Sequence, residues 1–262
     1  MSTMKKLRFS TPAILLGFLL TAGASFAGTV KLGAHGGLSI PNIRGNDTNI
    51  FSRGFTSRRG PFFGLAADIG LSTRFSLATE FNYSSQGGLR KGLQPITMEL
   101  PPGLPLPPGT LLFADFRNET ILDYLEVPIL ARLSFGGKVR YFVNAGPYFG
   151  LLIRARAVTA GESALYLDEG GTQPVIVPPS PDPLVVDLGA DTDVIESLNR
   201  TNVGLAGGGG VIYPLGAVEL ILEARFQLGL TTIQKDIETS GKTQTGAIVI
   251  SLEFMFPLGK HR

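Results

Sequence analysis

Residues 75–84 read FSLATEFNYS, and the strict alternation of their side chains decides the fold. In an extended strand, Phe75, Leu77, Thr79, Phe81 and Tyr83 lie on one face. The opposite face carries Ser76, Ala78, Glu80, Asn82 and Ser84. Because one face is apolar and aromatic and the other is polar, this strand is expected to separate two different solvents.

The same period of two recurs near the end of the chain. Within residues 218–228 the even positions are mostly apolar, and the odd positions include Glu219, Glu223 and Arg225. Residues 248–256 repeat this pattern, with Glu253 on the polar face. A soluble sandwich would also alternate, but an export signal, a hairpin plan and aromatic residues near strand ends favour lipid on the apolar side.

Strand-like runs fill most of the chain, and the gaps between them are alternately long and short. We predict strands at residues 30–40, 61–71, 74–84, 121–135, 139–156, 202–213, 217–230 and 245–256. Each run is near or above the about 9 to 11 residues that a tilted strand needs to cross a membrane. Since unpaired backbone groups are very unfavourable in lipid, the sheet must close. The sequence therefore predicts an all-β fold, an eight-stranded antiparallel transmembrane β-barrel with short periplasmic turns and long extracellular loops.

Residues 1–27 have the features of a cleaved Sec signal peptide. They contain Lys5, Lys6 and Arg8, then an apolar stretch, and they end in Ser25 and Ala27 at the usual small-residue positions. The apolar stretch is too short for a spanning helix, which needs about 20 residues. The barrel domain is then 28–262, and removal of the three basic residues turns the net charge of +2 into −1. We expect an exported protein with no nucleic-acid partner and, since cysteine is absent, no disulfide.

Eight strands make a bore that side chains can fill. The charged residues expected to point inward, six basic and six acidic, are Lys31, Arg132, Arg140, Arg154, Arg156, Arg225, Asp68, Glu80, Glu126, Glu219, Glu223 and Glu253. Balanced charge favours a paired structural plug, since a buried unpaired charge is costly. A narrow conduit lined with charge is the alternative. Pro128 and Pro147, also assigned to the inner face, predict bulges or bends because proline cannot donate to a strand ladder.

Two motifs around these prolines resemble a known family. Residues 124–128 read YLEVP, and residues 145–150 read AGPYFG after a tight turn. Together with the opening KLGAHGGLS at residues 31–39, they resemble the PorT-type outer-membrane β-barrel family over essentially the whole mature chain. The resemblance implies an outer-membrane barrel of a Gram-negative bacterium and, through the founding member, a link to protein secretion.

The three longest loops are the expected contact surfaces with lipids, lipopolysaccharide and envelope proteins. The loop at 41–60 carries Arg44, Arg53, Arg58 and Arg59, which suit lipopolysaccharide phosphates or simple solvation. The loop at 85–120 contains a proline-rich segment at residues 100–109, which predicts an extended spacer or a docking segment.

The loop at 157–201 is strongly acidic. Its Asp187, Asp191 and Asp193 are close enough in sequence to share a divalent cation, although their spacing is not that of an EF-hand. A solvated acidic loop is the alternative. No cofactor is predicted.

Catalytic groups are scarce in this sequence. There are two histidines, His35 in the first strand and His261 near the end, and there is no cysteine. We therefore predict no catalytic residues and a non-enzymatic barrel with a structural or surface-interaction role. A narrow passive channel and a barrel enzyme that uses His35 are the alternatives.

Overall fold

The computed structural model describes residues 29–45, 49–96, 106–107 and 109–258. The predicted signal peptide, His261 and most of the proline-rich segment lie outside these residues. The described strands, in chain order, are β1 (Val30–Gly45), β2 (Gly60–Gly70), β3 (Phe75–Arg90), β4 (Leu93–Pro95), β5 (Phe113–Asp115), β6 (Arg117–Gly136), β7 (Arg140–Ala160), β8 (Glu162–Ala164), β9 (Val185–Asp187), β10 (Ala190–Asp193), β11 (Thr201–Leu215), β12 (Val218–Gly229) and β13 (Thr243–Leu258). A four-residue helix, α1 (Ile237–Ser240), precedes β13. None of the described helices has the length and hydropathy to cross a membrane.

The eight long strands among the described residues form a closed antiparallel ring. Its order is β1-β2-β3-β6-β7-β11-β12-β13, and β13 pairs with β1 from Val30↔Leu258 to Gly45↔Thr243. The short strand β10 extends the sheet beside the far end of β7. The prediction of an eight-stranded barrel is confirmed, and ring closure satisfies the backbone groups that an edge would leave unpaired.

The two rims of the barrel differ in the length of their connections. Residues 71–74, 137–139 and 216–217 make the short turns, at the rim that we call the turn end. Residues 46–59, 91–116, 161–200 and 230–242 connect the strands at the other rim, the loop end.

Several strands continue further toward the loop end than the periodicity predicts. β1 runs to Gly45, β3 to Arg90 and β7 to Ala160, while β6 begins at Arg117. The predicted loops 41–60, 85–120 and 157–201 therefore each begin inside a strand. The apolar alternation stops where the strands leave the apolar belt, whereas their hydrogen-bond ladders continue past that point.

The outer face of the ring is a continuous apolar belt. Side chains such as Leu65 and Phe226 remain 63% and 65% exposed, which assigns them to the outer surface rather than to a protein core. Near the turn end, Phe135 and Tyr141 stack on this face with ring centroids 6.1 Å apart. An apolar outer band with aromatic residues at its edge is typical of barrels surrounded by lipid.

One β-bulge changes the inward and outward pattern of β7. The register of β6 and β7 shifts between Asp123 and Tyr124, where Tyr124 pairs with Leu152 and Asp123 pairs with Arg154. The extra residue on β7 is Ile153. Before the bulge the even-numbered residues of β7 point inward, and after it the odd-numbered ones do, because a bulge inserts one residue into the alternation.

The two prolines do not behave as predicted. The pairing of β6 with β7 has the same register on both sides of Pro128 and Pro147, so the predicted bulges at these positions are wrong. Pro128 lies on the inner face, as expected, but Pro147 is exposed on the outer face. Ladder pairs are missing beside the prolines because proline has no N–H group to donate.

Candidate functional site

The middle of the bore contains a compact network of ion pairs around Arg225. Its guanidinium binds Glu80 through two hydrogen bonds of 2.8 and 2.5 Å and donates from Nε to Glu223 at 2.8 Å. The side chains of all three residues are 2–3% exposed. Asn82 and Asn144 donate to the same two carboxylates. A paired and hydrogen-bonded group of this kind fills the bore instead of lining a channel.

A second basic residue lies on the turn-end side of this network. Arg132 donates to Asp68 at 2.9 Å and lies 3.7 Å from Glu223, which Arg225 also binds. Its guanidinium carbon is 4.5 Å from the ring centroid of Phe142, a cation–π distance. The charged residues of the middle bore therefore share their partners and form one connected cluster.

Nearer the turn end, one carboxylate forms ion pairs with two basic side chains. Glu219 accepts from Lys31 at 2.8 Å and from Arg140 at 2.5 Å. These residues line a cavity of about 620 Å³ at this end of the barrel.

Two inward carboxylates have no basic partner in the described part of the chain. Glu126 is fully buried, and the side-chain amides of Gln86 and Gln227 donate to its two oxygens, the latter at 2.9 Å. Glu253 is also buried and forms no ion pair there. Gln227 lies on the polar face of the predicted strand 217–230, whereas Gln86 lies in the predicted loop 85–120, so the alternation did not indicate its inward position.

Arg154 and Arg156 do not belong to the interior, so their assignment to it is wrong. The bulge at Ile153 turns Arg154 outward, where its side chain is 53% exposed and lies 3.8 Å from Asp123. Arg156 is paired with Asp191 of β10, outside the bore. The predicted balance of six against six becomes four basic residues against six acidic ones.

Apolar side chains close the bore at the loop end. Tyr124, Leu122 and Leu152 from the barrel wall pack with residues from two connections, among them Leu198 and Ile233. The complete cluster, which we call the loop-end cap, contains Ile43, Leu122, Tyr124, Leu152, Ala155, Leu198 and Ile233, with Phe55, Val194 and Ile195 packed against it. The loops thus fold back over the barrel mouth and bury their apolar residues in it.

Two connections form a small folded unit with its own core. Strand β4 pairs with β5, β8 pairs with β9, and reciprocal backbone hydrogen bonds of 2.9 and 2.8 Å join Phe113 to Tyr166. The buried residues of this unit, which we call the head, are Leu112, Ala114, Phe116, Leu165, Val175 and Leu188. The described parts of the connections 91–116 and 161–200 therefore pack together and are not two independent solvated loops.

The acidic loop does not gather its aspartates into a metal site. Asp187 accepts from the N–H of Gly189 at 2.8 Å, and Asp193 accepts from the N–H of Ile195 at 2.9 Å. Asp191 is paired with Arg156. Across the described ranges, no three acidic or histidine side chains are close enough to hold a metal ion. These aspartates fix loop geometry instead.

Asp168 organises an exposed turn of the head. Its carboxylate accepts hydrogen bonds from the N–H of Thr172 at 2.9 Å and from that of Gln173 at 2.7 Å. Slight desolvation opposes ionisation, but these hydrogen bonds outweigh it and lower the pKa of Asp168 below its usual range.

Three of the four arginines of the loop predicted at 41–60 bind other groups of the protein. Arg58 is turned inward and donates to Glu119 at 3.0 Å and to Ser85 at 3.1 Å, and Arg53 pairs with Glu169 of the head. Arg44 donates to the backbone oxygen of Gly229 at 3.0 Å. Arg59 is exposed. Fewer arginines are therefore free for lipopolysaccharide than the sequence suggests.

His35 lies inside the barrel rather than in a catalytic group. Its ring stacks on Phe62 with the centroids 5.2 Å apart, and its Nε2 atom has no hydrogen-bond partner among the described residues. The ring is therefore packed within the filled interior of the barrel.

A closed ring of strands with an apolar belt outside and a filled polar interior defines a membrane-spanning β-barrel. A family model described as "Outer membrane protein beta-barrel domain" matches residues 22–235, and the chain belongs to this family. Its location is therefore the bacterial outer membrane. The match names no narrower group, so the PorT-type resemblance stays a prediction.

Solved outer-membrane barrels are similar at low identity. Neisserial surface protein A is 12% identical, with 87% of this chain and 97% of that chain covered and a TM-score of 0.40. The N-terminal barrel domain of Pseudomonas aeruginosa OprF is 10% identical, with 87% and 99% covered and a TM-score of 0.38. Ail, the attachment invasion locus protein of Yersinia pestis, is 9% identical, with 88% and 100% covered and a TM-score of 0.34. No curated protein matches the chain.

Proposed function

We propose that this chain is a non-conducting, non-enzymatic outer-membrane barrel that acts through contacts of its head at the cell surface. The observation that carries the proposal is the head core, because a set of loops that builds its own buried cluster presents a defined surface. Two apolar side chains of the head, Ile176 and Val185, are 50% and 58% exposed. Exposed apolar side chains on a folded unit are suited to contact another molecule.

The filled bore supports the absence of conduction. The Arg225 network occupies the middle, and the loop-end cap closes one mouth. An ion would have to displace paired charges and then an apolar layer. The non-enzymatic part of the proposal is supported by the packed position of His35.

The orientation and the finer role are further parts of this proposal. Export by the signal peptide places the mature N-terminus in the periplasm, and an even number of strands then puts the turn end there and the head outside. An association with protein secretion is supported by the PorT-type motifs alone. The side chains of Tyr124, Glu126 and Tyr148 in these motifs are buried inside the bore. Exposed basic residues such as Arg59 would meet lipopolysaccharide phosphates.

The head is tested with a matched pair of substitutions. Leu165 lies fully buried in the head core, whereas Leu167 is 42% exposed two residues away. Leu165→Asp should make the head sensitive to protease on intact cells, while the barrel keeps its heat-modifiable migration in SDS gels. Leu167→Asp should leave both properties unchanged.

Contact with another molecule is tested with a photo-crosslinking residue at Ile176. We expect crosslinked products on cells that carry the otherwise unchanged chain or Leu167→Asp, and we expect their loss with Leu165→Asp. The proposal fails if no product forms, or if Leu165→Asp gives the same products.

A further inference from the structure

The turn end, opposite to the head, has an open and highly charged cavity. Its volume of about 620 Å³ is within the range of small-molecule sites. All eight strands of the barrel contribute to its wall, as does the turn at residues 71–74.

The charged residues of this cavity are unequal in number. Lys31, Arg74, Arg132 and Arg140 line it, against the acidic residues Asp68 and Glu219. Lys31 and Arg140 share the carboxylate of Glu219, so neither has an anion of its own. The side chain of Arg74 forms no hydrogen bond or ion pair within the described ranges. Because Arg132 is paired with Asp68 and also lies near Glu223, the excess positive charge of the cavity comes from Lys31, Arg74 and Arg140, with Glu219 as their one ion-pair partner in the described part of the chain.

A buried donor in the same wall is also without an acceptor. Arg132 is 2% exposed, and although it binds Asp68, its Nε atom has no hydrogen-bond partner among the described residues. Leaving a buried N–H of a charged group unsatisfied is unfavourable. The surrounding protein covers this Nε atom, so the cations that a ligand in the cavity can reach are Lys31, Arg74 and Arg140.

Part of the cavity wall is apolar. Ile212, Ile221 and Met255 line the cavity, and they belong to a buried cluster with Phe142. A ligand that contacts them needs an apolar part, whereas its charged part would lie beside Lys31 and Arg140.

We propose that the turn-end cavity binds a small organic anion with a short apolar part, such as an aliphatic carboxylate. The carboxylate accepts hydrogen bonds from Lys31 and Arg140, and the alkyl portion packs against Ile221 and Met255. Charge-assisted hydrogen bonds to lysine and arginine give the anion its preference over a neutral molecule of the same size. This site is separate from the head and does not depend on the proposed surface contact.

The test uses the folded barrel in nanodiscs, with empty nanodiscs as the blank. Hexanoate, hexan-1-ol, hexylammonium and inorganic phosphate are titrated by calorimetry. We expect saturable binding of hexanoate, weaker binding of phosphate, and no binding of the alcohol or the ammonium ion above the blank. Equal binding of hexanoate and hexan-1-ol would show partitioning into lipid and would overturn the proposal.

Two variants have opposite expected effects. Lys31→Gln with Arg140→Gln removes the cations and should weaken hexanoate binding roughly tenfold or more. Glu219→Gln removes the competing carboxylate and should strengthen it. Arg59→Gln, at the loop end, should leave it unchanged. If the double variant does not fold, Glu219→Gln decides, because unchanged or weaker binding in that variant contradicts the site.

Discussion

Arg225 shows at the scale of one residue how the interior holds together. It binds two buried carboxylates, and each of these also accepts a hydrogen bond from an asparagine. Removal of a cation from such a group leaves buried negative charge without compensation, which is more unfavourable than the original pair was favourable.

Arg225→Met should therefore destabilise the barrel strongly. We expect a loss of about 3–5 kcal/mol in the free energy of unfolding, because Glu80 loses its cation and Glu223 keeps only the longer contact with Arg132. Urea titration followed by circular dichroism and cold SDS gels measures the loss. Arg59→Gln, an exposed substitution, should change stability by less than about 0.5 kcal/mol. An equally small effect of Arg225→Met would mean that the network contributes little.

Asp168 gives a prediction about pH outside the membrane. Its pKa is lowered in the folded head, so its stabilising effect is present above the unfolded value of about 3.9 and is lost as pH falls through the lower folded value. The amides of Thr172 and Gln173 should then exchange faster, after correction for intrinsic exchange, once the pH falls below the lowered pKa of Asp168. Asp168→Asn should abolish this pH dependence, and protection that does not change with pH would contradict it.

At the scale of the element, the bulge in β7 has the largest effect on orientation. Its extra residue leaves Ile153 and Arg154 both exposed between the buried Leu152 and Ala155. The alternation of side chains along the strand predicted that Arg154 points into the bore. No residue type in this stretch indicates that a residue is inserted. The bulge depends on the alignment of β6 with β7, which a single strand does not encode.

Cysteine scanning tests the bulge directly, since the chain has no cysteine. Single cysteines at positions 153 and 154 should both react with a membrane-permeant thiol reagent, and those at 152 and 155 should not, because only the first two are exposed. A strictly alternating pattern through all four positions would rule out the bulge.

The head could not be predicted from the sequence either, because it also depends on contacts between distant segments. Its core joins Leu112 of one connection to Leu165 and Val175 of another, and these segments lack a regular hydrophobic period. The barrel strands could be predicted because their period of two is local. Pairing between distant irregular segments is nonlocal, so the sequence indicated only two separate loops.

At the scale of the whole molecule, the described residues form a barrel that is open at the turn end and closed at the loop end. The turn-end cavity ends at the buried Arg132, the Arg225 network lies beyond it, and the loop-end cap covers the other mouth. The number of strands was enough to predict a filled interior. It did not predict that two of the six basic residues assigned to the interior lie outside it.

Planar-bilayer recordings should accordingly show no conductance steps above background for the purified barrel. The physical reason is that both paired charges and an apolar layer obstruct the path. A general porin recorded in the same membranes serves as the positive control. Reproducible steps that require the folded protein would establish a channel and contradict the closed bore.

The shared core of the head also affects how antibodies would recognise this protein. In the proposed orientation, Phe113 and Tyr166 bring two distant segments together at the cell surface, which creates discontinuous epitopes there. Antibodies raised against a linear peptide from either segment would fail to bind living cells, whereas immunisation with the folded barrel would elicit antibodies that do. Substitutions at exposed positions such as Ile176 should alter such an epitope while leaving the core of the head intact.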